Sequence, residues 1–96
     1  MNFRLIIQDQ AILEIKDAFE WYEEQKEGLG YEFINKIEDC YNNLSKYPER
    51  YSYINHLYRR IKTNRFPYII IYEIDDNTVI IIRVRQLKQK PINLQD

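Results

Sequence analysis

The chain has 96 residues, 45% hydrophobic and 15% aromatic, with a formal net charge of −1. That is the length of one domain (residues 1–96) with enough apolar content for a core, which argues against a disordered chain. The single cysteine, Cys40, excludes an intramolecular disulfide, and no apolar run approaches the length of a membrane span. The opening Met-Asn-Phe-Arg-Leu-Ile-Ile is too short an apolar run for a signal peptide, so a soluble cytoplasmic protein without a membrane partner is expected. The small net charge conceals an asymmetry. Residues 1–58 carry −5 and residues 59–90 carry +5. A chain with a cationic half can bind an anionic partner locally despite its acidic balance, although a nucleic-acid binder is more often basic overall.

Residues 3–7 read as a short strand in which Phe3, Leu5 and Ile7 alternate with Arg4. Asp9 is placed as an N-cap for a helix over residues 10–25, whose apolar face comprises Ala11, Ile12, Ile15, Ala18, Phe19 and Tyr22. Gly28-Leu29-Gly30 contains the only two glycines and marks a break between helices. The second helix has its own stripe, Leu29, Phe33, Ile37, Cys40, Tyr41 and Leu44, and Glu32 and Lys36 are spaced for an i,i+4 pair. Tyr47-Pro48 ends it, because the residue before proline is driven out of the helical region. The short connection implies an antiparallel helical hairpin.

A polar, tyrosine-bearing loop covers residues 49–56. Residues 57–63 form a cationic strand, with Leu57, Arg59, Ile61 and Thr63 on one face and Tyr58, Arg60 and Lys62 on the other. Phe66-Pro67-Tyr68 leads into an apolar strand over 68–72. Asp75-Asp76-Asn77 turns the chain into a second such strand over 79–84. Their β-branched and aromatic composition is that of strands buried on both faces, covered either by tyrosine and isoleucine side chains or by a partner. The order of elements predicts an α+β fold: an N-terminal strand and a helical hairpin packed on one face of an antiparallel sheet.

This pattern resembles the RelE/ParE family, toxins of bacterial type II toxin–antitoxin systems that include plasmid stabilisation proteins. The resemblance covers residues 3–91. It rests on the N-terminal strand, the Ala-Ile-Leu-Glu-Ile helix opening, the Gly28-Leu29-Gly30 break, the end of the second helix over 44–48, the Tyr58-Arg59-Arg60 strand, Phe66-Pro67-Tyr68 and a closing valine strand ending near Pro91. It implies a RelE/ParE-like fold and a toxin neutralised by an antitoxin whose C-terminal segment wraps over it. It also implies one of two activities: ribosome-dependent cutting of mRNA, as in RelE-like members, or inhibition of DNA gyrase, as in ParE-like ones. The family's strand arginine falls on Arg59. The His-x-x-Arg-x-Pro pattern of many members reads Gln86-Leu87-Lys88-Gln89-Lys90-Pro91 here, with Gln86 at the histidine and Gln89 at the arginine.

RNA cleavage by 2′-hydroxyl attack needs a proton acceptor, a proton donor and cations to stabilise the phosphorane. Arg59, Arg83 and Lys88 are the catalytic candidates for a ribonuclease, with Arg85 as a further cation. Gln86 cannot titrate, and Tyr68 or Tyr72 could serve only with a depressed pKa; both read as core residues. The expected activity is therefore binding-type toxicity. A ribonuclease with a rearranged site and a degenerate member that binds antitoxin without poisoning anything are the alternatives. Arg59, Arg60, Lys62 and Arg65 suit either a solvated strand edge that resists aggregation or a surface for target or antitoxin. Arg83 and Arg85 share one strand face, with Ile80, Ile82 and Val84 on the other. Two cations side by side repel unless an anion lies between them, so they join the binding candidates. His56 reads as a surface histidine and Cys40 as a buried inert thiol. No metal site and no cofactor is expected.

Overall fold

The computed structural model describes residues 2–87. Strand β1 (Arg4–Ile7) is followed by helices α1 (Asp9–Gln25) and α2 (Leu29–Lys46), a 3-10 turn (Pro48–Arg50), and strands β2 (Arg59–Lys62), β3 (Tyr68–Asp75) and β4 (Thr78–Gln86). The sheet order is β1-β4-β3-β2. The pairs β2–β3 and β3–β4 are antiparallel, as expected, whereas β1 joins the edge parallel to β4, with Leu5 opposite Val79 and Ile7 opposite Ile81. The reason is geometric: the helical hairpin is the crossover that carries the chain from β1 onto one sheet face, and such a crossover permits a parallel edge strand. The α+β architecture is therefore as the sequence implies, with one parallel edge.

The core lies between the hairpin and that sheet face. Phe33, Ile37, Cys40 and Leu44 of α2 are buried, as are Ala11, Ala18 and Tyr22 of α1 and Ile61, Ile70, Tyr72, Val79, Ile81 and Val84 of the sheet. Ile12 departs from its expected place on the buried face of α1 and is 49% exposed. Tyr22, Phe33, Phe66 and Tyr68 form an aromatic cluster in which Tyr22–Phe66 centroids are 4.9 Å apart and Phe33–Tyr68 centroids 5.1 Å. Edge-to-face pairs of this kind add to simple area burial.

The helix boundaries are set by different residues from those expected. Asp9 is not the N-cap; it is the first residue of α1, and Gln8 occupies the cap without a side-chain hydrogen bond. The start of α2 is capped from a distance. Glu23, near the end of α1, accepts from the Gly28 N–H (2.9 Å) and the Gly30 N–H (2.8 Å). An anion there satisfies otherwise orphaned donors and complements the positive end of the helix. Gly28 has φ +88°, the left-handed region. Gly30 lies against α1 so closely that a Cβ would sit 2.7 Å from the Phe19 carbonyl oxygen and 2.8 Å from its ring. Glu32 does not pair with Lys36 as its spacing suggested. It pairs with Arg65, and Lys36 lies 4.0 Å from Asp39.

No helix is long and apolar enough to cross a membrane among the described residues.

Candidate functional site

The expected cations divide according to which sheet face they occupy. The β2–β3–β4 register aligns Arg60–Ile71–Arg83 in one cross-strand row and Lys62–Ile69–Arg85 in the next. Ile69 and Ile71 are absent from the core beneath the helices, yet they are 2% and 1% exposed. Each is flanked on both sides by a long basic side chain, whose methylene stem is suited to covering apolar surface while the charge stays in water. The outer face therefore needs neither tyrosines nor a partner to bury these isoleucines.

The register shift between Ile71 and Tyr72 corrects the expected faces of β4. Tyr72 pairs with Ile81 and Ile71 with Arg83, so Ile82 is an extra residue. Such an insertion breaks the alternation of side chains. Val79 and Ile81 before it and Val84 after it are buried, whereas Ile80 and Ile82 are half-buried. Arg83 and Arg85 do share the outer side, but the anion that relieves Arg83 comes from the same chain. Its Nε and Nη2 donate to Glu14 Oε2 at 2.9 and 2.7 Å, while Glu14 Oε1 accepts from the Val84 N–H at 2.8 Å. The hydrogen bonds to Glu14 hold the Arg83 guanidinium above its ordinary pKa. Arg85, half-buried, also has an interaction within the chain.

Arg59 has a different role from its neighbours. Its Nη1 donates to the Glu49 carbonyl (3.0 Å) and the Tyr51 carbonyl (2.7 Å), its Nη2 donates to Tyr53 Oη (2.9 Å), and its Cζ lies 3.9 Å from the Tyr53 ring centroid. Opposite Arg59 in the register, Tyr72 donates its hydroxyl to the Pro48 carbonyl at 2.6 Å. Together they tie the segment 48–53 to the sheet. Lys62 Nζ donates to the Thr63 and Phe66 carbonyls, and Arg65, at φ +71°, forms the ion pair with Glu32. Thr63, buried, donates its hydroxyl to the Phe66 carbonyl and closes the tight turn before β3. Arg60 is exposed and makes no side-chain hydrogen bond or ion pair among the described residues.

Two hollows flank this face. One, of about 270 Å³, is lined by Arg50, Tyr51, Ser52, Arg60, Lys62, Ile69 and Leu87. Its charges are all positive, over an apolar floor at Ile69. The other, of about 530 Å³, lies between α1 and the end of β4 and is lined by Glu14, Asp17, Trp21, Tyr22, Tyr68, Arg85 and Gln86. Thus Arg60 and Lys62 meet at one hollow, Arg83 and Arg85 reach the other, and Arg59 and Arg65 line neither. Lys88 and Gln89 lie outside the described residues.

Proton-transfer chemistry is poorly served here. Burial raises the hydroxyl pKa of Tyr68, with Tyr22 adding to it, and burial raises that of Tyr72 further. Neither has the depressed pKa that a base would need; Tyr72 belongs to the core as expected, whereas Tyr68 is half-buried, packing against the core and lining the larger hollow. Burial likewise pushes the Cys40 thiol up to about 11, and its Sγ points at the Lys62 carbonyl. His56 is exposed, and no group of acidic, histidine or cysteine side chains could hold a metal among the described residues. Of the residues that organise the site, Glu14, Glu23 and Thr63 had no sequence signal except for Glu23. An acidic residue a turn before a Gly-x-Gly helix break is placed to reach the next helix's free N–H groups.

Comparison with known proteins supports the same fold. A chromosomal ParDE toxin–antitoxin system from P. aeruginosa superimposes with a TM-score of 0.79 at 11% identity, covering 90% of this chain and 97% of that one. An archaeal RelE–RelB complex from Pyrococcus horikoshii OT3 superimposes with a TM-score of 0.59 at 12% identity, covering 94% and 100%. No curated protein matches in sequence. The family model described as the ParE toxin of the type II toxin–antitoxin system, parDE, matches residues 5–91. Spanning nearly every element from β1 to β4, that match establishes that the chain belongs to the ParE toxins of type II toxin–antitoxin systems.

Proposed function

We propose that this RelE/ParE-like domain acts in the cytoplasm as a toxin that binds and inhibits a cellular target such as DNA gyrase, and that a cognate antitoxin neutralises it. The observation behind this reading is the cationic hollow over Ile69. It offers Arg50, Arg60 and Lys62 to an anionic surface, and among the described residues no histidine or carboxylate lines it to exchange a proton. Gln86, at the family's histidine position, lines the other hollow. A surface that attracts without proton transfer suits inhibition by binding. The outer rows of basic side chains also suit an acidic stretch of antitoxin.

Expression in a sensitive host tests the activity. Transcripts should remain intact while gyrase-dependent supercoiling falls and DNA damage appears. Arg60→Glu should weaken antitoxin binding and cost no more than about 1 kcal/mol of stability, because the exposed charge stabilises little and only part of the stem beside Ile71 is lost. The second reading, a RelE-like ribosome-dependent endoribonuclease, draws on the same hollow, since its cations could hold a phosphate. Discrete ribosome-dependent cuts lost on Arg60→Ala would establish it in place of the first. Antitoxin binding without either phenotype would identify a degenerate member.

A further inference from the structure

The two edges of the sheet are finished differently. At the β2 edge the chain folds back over itself: the Arg60 N–H donates to the Ser52 carbonyl at 3.1 Å, and Tyr53 bridges to Arg59. The β1 edge has no such cover among the described residues. The Arg4 N–H donates to the Asn77 carbonyl and the Gln8 N–H to the Ile81 carbonyl. Residues 4, 6 and 8 therefore turn their backbone groups toward β4, and Leu5 and Ile7 turn theirs away from it. The outward N–H groups of Leu5 and Ile7 find no acceptor among the described residues. Such a row is a template for a further strand.

This edge is short and closed at both ends. Before it, the Phe3 N–H is taken by the Ser45 carbonyl at 2.6 Å; after it, α1 starts at Asp9. An incoming strand must leave the sheet at both ends of a four-residue window, as β1 itself does. Leu5 and Ile7 pack against the core, whereas Ile6 points to the outer face beside Ile80 and is 47% exposed. Arg4 and Asp9, both exposed, have no hydrogen-bond or ion-pair partner among the described residues.

We propose that β1 pairs antiparallel with β1 of a second copy of this chain, about a two-fold axis at Ile6. Leu5 then exchanges both backbone hydrogen bonds with the copy's Ile7, Ile7 does the same with the copy's Leu5, and Ile6 meets Ile6 in the non-hydrogen-bonded pair between them. Arg4 lies opposite the copy's Gln8, with Asp9 next along that chain, so each unpaired cation meets the acidic start of the other α1 and no like charges are opposed. This register is what selects a second copy over another partner. The outward backbone groups, the exposed isoleucine and one unpaired charge of each sign are all matched by their own repetition. The two sheets join edge to edge, and the two-fold axis leaves both cationic outer faces on the same side.

Sedimentation equilibrium of the full chain measures the association directly. A reversible dimer is expected. Ile6→Lys should weaken it about tenfold or more while the circular dichroism stays that of the folded chain, because two ammonium groups would meet at the axis. Arg4→Glu should weaken it about tenfold by setting carboxylates against each other at both ends, and adding Asp9→Lys should restore it. Ile6→Cys should give a covalent dimer on mild oxidation, since Cβ atoms in such a pair stand about 4.5–5.5 Å apart, close enough for a small adjustment to bridge them. Asn42→Cys, on the exposed side of α2, should not. A chain that stays monomeric at millimolar concentration, a dimer indifferent to Ile6→Lys, a charge exchange that fails to restore association, or equal cross-linking of the two cysteine variants overturns the proposal. So does a dimer that forms only on truncation after Leu87, which would make the chain's own tail the occupant of the edge. A monomer that loses antitoxin binding with Ile6→Lys would give the edge to the antitoxin and overturn it too.

Discussion

Replacing Arg59 by alanine should unfold the link between the sheet and residues 48–53, and the cost can be built from the contacts. The guanidinium makes two charge-assisted bonds to main-chain carbonyls, one to the Tyr53 hydroxyl, and a stack on the Tyr53 ring at 3.9 Å. Bonds to a charged donor contribute more than neutral ones, but Glu49 and Tyr53 are exposed, so water replaces part of what is lost. The bond to the part-buried Tyr51 carbonyl and the ring contact carry most of the remainder, giving a loss of about 1.5–3 kcal/mol. Urea unfolding followed by Trp21 fluorescence measures it. Arg59→Lys should recover only part, because an ammonium cannot fork between two carbonyls while lying flat on a ring. Trypsin should also cut faster after Arg50 in the alanine variant. A loss below about 0.5 kcal/mol with unchanged cleavage would refute the reasoning and return Arg59 to the pool of cations available to a target. The same result governs how toxicity data are read: a harmless Arg59→Ala protein that is also destabilised says nothing about phosphate.

Gly30→Ala should destabilise despite alanine's better helix propensity. The added Cβ meets a backbone oxygen at 2.7 Å, and the overpacking of about 1–3 kcal/mol exceeds the propensity gain of about 1 kcal/mol in thermal unfolding. Phe33→Ala removes a fully buried ring from the aromatic cluster and should cost about 3–5 kcal/mol by urea unfolding. Alkali should destabilise the protein through Cys40. Its folded pKa of about 11 lies above the ordinary thiol value, so the stability present below about pH 9 is lost as pH rises toward 11. Melting temperatures measured across that window should fall less steeply for Cys40→Ala.

The hairpin was legible because helical packing is written locally. Phe33, Ile37, Cys40 and Leu44 recur at the spacing of one helix face, and all four are buried. The alternation around Ile61 likewise placed Arg60 and Lys62 on the outer side. What failed depended on distant residues. The parallel pairing of β1 is decided by a strand more than seventy residues away, and the extra residue Ile82 resets a face that strict alternation assigned otherwise. The cations were easy to locate and hard to interpret. Arg83 looked available because Glu14, its partner, is 69 positions earlier in sequence, and Arg65 looked available because Glu32 is 33 positions away. Only a folded chain distinguishes these from Arg60.

The placement of β4 also has a consequence for how the protein comes into being on the ribosome. Although last among the described strands, β4 stands between β1 and β3, and it supplies Val79, Ile81 and Val84 to the core. A nascent chain that has emerged only as far as Asp75 has its first strand without a neighbour and its helices without half of their floor. The outer rows that Arg83 and Arg85 complete do not yet exist. Chains cut short before β4 by stalled or aborted translation therefore lack the assembled surface, and the toxin acquires it only once β4 has emerged. A protein that binds the assembled sheet can therefore engage it only after β4 has left the ribosome.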